Sequence, residues 1–189
     1  MSNQKTDCKS FTDKEIIKLS LNDLDLFRCL FERYESRLKI YIKRISGFDH
    51  EEIEDVLQNA FVKIWKNLNA YDESVEVSGF IYNIVHNETI SLWRKLNSAR
   101  KLKESYSKSY IYAEELANEE TYEFNKEINR ILNMMPEKYK EVIILRFFEN
   151  MDYEEISYIL KIPEGTVATR INRAKLYFAK IADKTKFNY

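Results

Sequence analysis

The chain has 189 residues, enough for one domain or two small ones. Its composition is 44% hydrophobic and 32% charged, which excludes wholesale disorder, and a net charge of −1 excludes a polycation, so any surface for nucleic acid must be a local patch. Three Gly and two Pro are too few for the turns of an all-β fold and favour helices.

The opening residues, MSNQKTDCKS, contain no signal-peptide core. No apolar run approaches the roughly 20 residues that a membrane span needs. A cytoplasmic protein without membrane insertion is expected. Cys8 and Cys29 stand far from any ligand-like cluster and are expected as free thiols in a reducing compartment.

Asn22 or Asp23 is the expected cap of a helix over 23–46. There Leu26, Leu30, Tyr34, Leu38, Tyr41 and Ile45 recur at spacings of four and three and share one face. Gly47 ends it. Asp49 opens a second helix, 50–68. Glu51, Glu52, Glu54 and Asp55 crowd its first turns, where the positive end of the helix dipole favours acid. Its apolar set is Ile53, Val56, Leu57, Ala60, Phe61, Ile64 and Trp65. A polar loop, NAYDESVEVS, occupies 69–78. A third helix over 79–101 carries Phe80, Ile81, Ile84, Val85, Ile90, Leu92 and Trp93, and ends in Arg94, Lys95, Arg100 and Lys101.

From 102 to 124 the apolar pattern becomes irregular. Six Glu stand against Lys103 and Lys108, a net −4, and the segment is expected as a linker. A helix over 125–134 follows, with Ile128, Ile131 and Leu132. Pro136 suits the first turn of the next, 136–149, where its missing N–H is not needed. Tyr139, Val142, Ile143, Leu145 and Phe147 are the expected apolar set of that helix. The reading is all-α: two helical domains, 1–101 and 125–189, joined by a 102–124 linker, with no internal repeat.

The stretch YEEISYILKIPEGTVATRINRAK, 153–175, reads as two short helices and a tight turn. The first, 152–160, buries Ile156 and Ile159, with the small Ser157 between them where steeply crossing helices approach closely. Lys161 takes a turn that Gly would occupy more easily in a left-handed conformation. Pro163, Glu164 and Gly165 start the second helix, and Val167, Ile171, Ala174 and Phe178 form its buried stripe. The opposite face carries Thr169, Asn172, Arg173 and Leu176, flanked by Ala168 and Arg170. Residues 164–189 hold six Lys or Arg against Glu164 and Asp183, a local +4. Apolar inside and donors outside is the pattern of a helix that enters a DNA major groove. A hairpin with a solvated basic face has the same charge. The small crossing residue, the short turn and the Pro-x-Gly start favour DNA.

Residues 132–175, LNMMPEKYKEVIILRFFENMDYEEISYILKIPEGTVATRINRAK, resemble region 4 of bacterial RNA polymerase sigma factors of the extracytoplasmic-function (ECF) group. The matching features are the Pro-Glu start, Leu-Arg-Phe, Tyr-x-Glu-Ile and Gly-Thr-Val…Arg…Arg-Ala. Residues 54–65, EDVLQNAFVKIW, are similar to the family's region 2 helix at Asp55, Gln58, Phe61 and Trp65, and residues 80–95 to its next helix at Asn87, Arg94 and Lys95. The resemblance spans about 12–101 and 125–182, with both blocks in the family's order.

The resemblance implies a non-enzymatic specificity subunit whose partners are core RNA polymerase, promoter DNA and an anti-sigma factor, with no small-molecule substrate, cofactor or metal. It implies that Asp55, Gln58, Phe61 and Trp65 belong to the polymerase-docking helix. Tyr71, Asn87, Arg94 and Lys95 would lie near the melted downstream element, with the 69–78 loop capturing an unstacked base. Thr166, Thr169, Arg170, Asn172, Arg173 and Lys175 would read the upstream element. Melted strands offer base faces and phosphates to aromatic and cationic groups, which makes Tyr71, Phe80, Tyr82 and Trp93 candidate stacking platforms, although each ring taken singly reads first as a core residue. The acidic linker would thread into the polymerase toward the path of new RNA.

Some positions depart from the family. Ala168 replaces a usual Lys or Arg, Ser91 a common Asp, Phe80 a common Trp and Lys161 a turn Gly. Asn172 can bond an adenine edge bidentately. No catalytic constellation is present: His50-Glu51-Glu52 lacks a second His at i+4, His86 stands alone, and there is no Gly-rich phosphate loop. Two other readings remain open. One is a helix-turn-helix regulator that never enters the polymerase. The other is a degenerate relative that only occupies an anti-sigma factor.

Overall fold

The computed structural model describes residues 8–21, 23–102 and 119–185. These form eight α-helices and no strand: α1 (Asp13–Ser20), α2 (Leu24–Ser46), α3 (His50–Asn67), α4 (Val77–Leu102), α5 (Glu119–Met134), α6 (Glu137–Ile143), α7 (Tyr153–Leu160) and α8 (Glu164–Thr185). The all-α reading holds. The chain divides into two compact units, Met1–Lys95 and Leu96–Tyr189. Asn22, Lys186 and residues 103–118, most of the expected linker, lie outside the described residues. No helix among the described residues is long and apolar enough to cross a membrane.

In the first unit, Asp23 caps α2 by accepting from the Asp25 N–H, and Gly47 ends the helix at φ 73°, a left-handed conformation that glycine adopts without strain. Leu30, Leu38, Tyr41 and Ile42 of α2 are fully buried. Asp49 and Glu52 form a reciprocal capping box at the start of α3. The core of the unit is aromatic at its centre. Tyr41 and Tyr82 of α4 meet edge to face at 4.9 Å between ring centroids. Beside them the Tyr41 hydroxyl lies 2.9 Å from Nδ1 of His86, which is 8% exposed. Burial pushes the His86 pKa down to about 4, and the Arg94 cation acts in the same direction.

Two features of this unit differ from the sequence reading. Hydrophobic periodicity assigns no element before residue 23, yet α1 is present, capped by the box Thr12-x-x-Glu15. It buries Ile16 and Ile17 against α2, which holds the entering chain through Arg33. That guanidinium bonds the Asp13 carboxylate, the Cys8 carbonyl and, at 2.6 Å, the Phe11 carbonyl. Second, the cysteines are not free thiols: Cys8 and Cys29 form a disulfide across a sequence separation of 21 residues. Folding α1 back along α2 is what makes them neighbours.

In the second unit, α5 contributes Ile131 and Leu132 to the core. Pro136 is the residue that caps α6 rather than a member of its first turn. The expected helix over 136–149 stops at Ile143 and continues as a π-helical turn, Ile144–Phe148, with the Glu149 N–H donating to the Ile144 carbonyl at 3.1 Å. One extra residue per turn rotates everything after it. Ile143 and Leu145 are buried as expected and Ile144 is buried with them, whereas Phe147, expected in the apolar set, is 52% exposed. Arg146 donates to the Met151 carbonyl at 2.7 Å and closes the bend that leads into α7.

Candidate nucleic-acid interface

The α7–α8 pair is built by local rules. Asp152 and Glu155 make a capping box at the start of α7. Lys161 ends the helix at φ 53°, ψ 47°, the left-handed conformation that its position requires. Ser157 is small, as the crossing demands, and has a second task. Its hydroxyl donates to the Ile162 carbonyl at 2.7 Å, while its own carbonyl accepts from the Ile162 N–H at 3.2 Å. The turn is tied at both edges.

From this turn α8 emerges with Val167, Ile171 and Ala174 buried and Phe178 half-buried. Thr169, Asn172, Arg173, Lys175 and Leu176 are exposed, and Thr166, Ala168 and Arg170 are intermediate. This is the division that the spacing predicts. The Thr169 hydroxyl donates to the Gly165 carbonyl at 2.8 Å, so its oxygen faces out as an acceptor. Lys175 holds its ammonium 5.3 Å from the Phe147 ring centroid, so the ring displaced by the π turn positions a cation.

A cleft of about 250 Å3 opens where α6 packs on α8, lined by Lys138, Tyr139, Gly165, Thr166, Thr169, Arg170 and Arg173. Four of these are residues the sequence reading assigns to the upstream element. Lys138 and Tyr139 are not. They lie some 30 positions away in sequence, and only the packing of α6 on α8 brings them here.

In the first unit α3 presents an outward face. Asp55, Gln58, Val62 and Trp65 are exposed, with Val62 at 52% and Trp65 at 37%. Glu54 is diverted from this face by Lys39, 2.7 Å away. Phe61 does not belong to the face. It is 6% exposed and sits beneath it, edge-on to Phe31 at 4.7 Å and to Phe27 at 6.1 Å. A ring enclosed between α3 and α2 is not available at the surface, where the resemblance implies a docking residue. Val62, seven residues beyond Asp55 and so on the same face, was legible from helical spacing alone.

Along α4, Asn87, Ser91, Arg94 and Lys95 are all exposed. Positions 87, 91 and 94 recur at four and three and share one face, with Lys95 at its edge. The Asn87 amide donates to the Asn83 carbonyl at 2.7 Å, which fixes its orientation. Two of the candidate stacking platforms are core residues. Tyr82 is fully buried and Phe80 is 8% exposed. Tyr71 is half-buried, its ring edge-on to Phe80 at 5.2 Å and its hydroxyl donating to the Val75 carbonyl at 2.5 Å. It braces the 71–76 loop from inside. Trp93 is half-buried.

Residues 30–99 match the family model described as Sigma-70 region 2, and residues 125–177 that described as Sigma-70, region 4. Among curated proteins, the chain is 30% identical over 172 residues to the ECF RNA polymerase sigma factor SigW of Bacillus subtilis, covering 86% of this chain and 91% of that one. It is 26% identical over 180 residues to the ECF RNA polymerase sigma-E factor of Escherichia coli K12, covering 88% and 92%. Two solved structures share the fold at 20% identity. CnrH in complex with the cytosolic domain of CnrY has a TM-score of 0.67 over 89% of this chain and 95% of that one. The sigma factor RpoE from Bartonella quintana in complex with the anti-sigma factor NepR has 0.70 over 86% and 98%.

Proposed function

The chain belongs to the ECF group of bacterial RNA polymerase sigma factors, and from that premise we propose how its residues divide the work. As a sigma factor it directs the polymerase to promoters and is not itself an enzyme. Catalysis belongs to the polymerase. The proposal assigns residues 1–101 to polymerase docking and melting of the downstream element, and 125–189 to grip on the upstream element.

The observation that carries the upstream assignment is the two-faced character of α8. A fully buried Val167–Ile171–Ala174 stripe fixes the helix, and Thr169, Asn172 and Arg173 stand exposed on the other side. Arg173 and Asn172 suit base edges, and Arg170, Lys175 and Thr166 suit the backbone. Downstream, Asn87, Arg94 and Lys95 form an amide-and-cation track suited to a single strand. Tyr71 acts by holding the shape of the capturing loop. Core polymerase docks on the Asp55–Gln58–Trp65 face, with Phe61 as its packed base.

The fold shared with a sigma factor held by an anti-sigma factor supports a protein inhibitor for this chain as well. A partner of RNA polymerase works in the cytoplasm, and that is the location we propose.

The test is run-off transcription with core polymerase on a promoter library. Transcripts that depend on this chain and start from a defined subset of templates are expected. Asp55→Ala with Gln58→Ala should weaken holoenzyme formation by about tenfold or more, the scale of a central interface residue. Absence of any holoenzyme with the unaltered chain would overturn the assignment.

A further inference from the structure

We propose that the cleft between α6 and α8 is a seat for one phosphate of duplex DNA, and that Lys138 supplies from α6 the cation that Ala168 does not supply from α8. The inference rests on the upstream-element reading given above.

Three cations line this cleft, Lys138, Arg170 and Arg173, with the Thr166 hydroxyl among them. No ion pair to any of the three is found among the described residues. Three like charges on one cleft lining with no acid among them repel one another, and a phosphate held by Lys138 and Arg170 relieves that repulsion while leaving Arg173 to a base edge. The Lys138 ammonium is not left to wander. It lies 5.1 Å from the centroid of the Tyr139 ring, which packs on Tyr177 of α8 at 5.6 Å. A lysine held over a ring braced on the reader helix has less conformational freedom to lose when it binds.

Gly165 points the same way. It stands in the first turn of α8, where glycine is a weaker helix former than alanine. A Cβ placed on it would meet no protein atom within 4 Å, so internal packing does not demand its smallness. It leaves bare backbone on the cleft wall, where a ligand can approach closely. A phosphate is also the right class of ligand by charge: the lining offers three cations and two threonines and no carboxylate.

The experiment measures binding of reconstituted holoenzyme to fluorescent promoter duplexes that differ in the upstream element, across a salt series. Lys138→Ala should weaken binding to every duplex by a similar factor. It should lower the slope of log affinity against log salt by about 0.9, so that its defect shrinks about three- to fourfold between roughly 50 and 200 mM salt. Lys138→Arg should keep the original slope. Ala168→Lys in the Lys138→Ala background should restore it, because a phosphate contact is returned to the same reader helix, at a position outside the cleft lining. An unchanged slope in Lys138→Ala overturns the proposal, and so does a loss confined to particular base sequences. If the unaltered holoenzyme selects no duplex at all, the sigma reading itself fails, which is a separate outcome.

Discussion

His86 shows how a single buried side chain sets a pH dependence. It is enclosed beside Tyr41, and its pKa is held down to about 4 by burial and by Arg94. In the unfolded chain it titrates near 6.5. The native state therefore excludes a proton that the unfolded state accepts. The associated stability is fully present above about pH 6.5 and is lost as pH falls toward 4, to a total of about 3 kcal/mol. Urea denaturation of wild type and His86→Gln at pH 7 and pH 4.5 checks this: the variant should lack most of that decline, and parallel declines would remove His86 as the cause. Arg173 makes a second prediction. Arg173→Ala should lose roughly 1–3 kcal/mol of discrimination between upstream elements if the guanidinium meets a base edge, read by competition between promoter variants. At this scale the sequence was informative wherever a helix presents a regular face. Thr169, Asn172 and Arg173 are exposed as spacing predicts, and Asn87 and Arg94 are exposed at positions singled out by the resemblance. It was uninformative for aromatics. Tyr82 and Phe80 have the chemistry of a stacking platform and of a core residue alike, and only the neighbours on α2 and in the 71–76 loop decide between them.

Elements were legible in proportion to their length. α2 and α3 each repeat their apolar spacing over several turns, and their bounds fall within a residue or two of expectation. α1 has only two turns, too short for periodicity, and its sole local signal is the Thr12–Glu15 box. The π turn was hidden for another reason. IILRFF reads as unbroken helix, and the extra residue is accommodated by the Arg146–Met151 bond, which is formed only in the folded bend. The turn before α8 yields a direct test. Lys161 at φ 53° bears the strain of a side chain in the left-handed region, roughly 1–2 kcal/mol. Lys161→Gly should raise stability by about 1 kcal/mol, less than the full strain because glycine also frees the unfolded chain. A thermal melt that moved down would show that the Lys161 side chain contributes more than its backbone costs. The α1–α2 pair gives another. The Cys8–Cys29 bond closes a loop of 21 residues and should add about 3 kcal/mol to the first unit by restricting its unfolded state. A cytoplasm keeps most thiols reduced, so oxidation determines whether this staple is closed. Denaturation with and without reductant, compared with Cys29→Ala, measures it, and an identical midpoint in all three would remove the staple from the account.

At the scale of the whole molecule, a net charge of −1 conceals a division by segment: −4 over 102–124 and +4 over 164–189. Opposite charge is thus assigned to a stretch expected inside the polymerase and to a helix expected on DNA. A promoter gripped at two elements by one chain also makes the second contact intramolecular. That raises its effective concentration and lowers the affinity that each contact must supply alone. Charge in the linker was legible from composition, whereas the cleft that joins Lys138 to α8 was not, because it depends on two helices meeting. The linker supplies the last prediction. A channel that carries nascent RNA must attract a polyanion, so an acidic segment entering it competes with the transcript for the same cations. Changing Glu104, Glu114, Glu115, Glu119, Glu120 and Glu123 to Gln takes the stretch from −4 to +2. Association with core polymerase should then slow by roughly tenfold or more at low salt, with the difference closing as screening increases. The abortive share of short transcripts should fall, because a segment at +2 is no longer held by the cations of the channel and yields its place more readily to growing RNA. Stopped-flow association and abortive-initiation assays on one promoter read the two effects separately. A slower association with an unchanged abortive share would place the acidic charge in polymerase encounter alone, and no change in either would remove it from both.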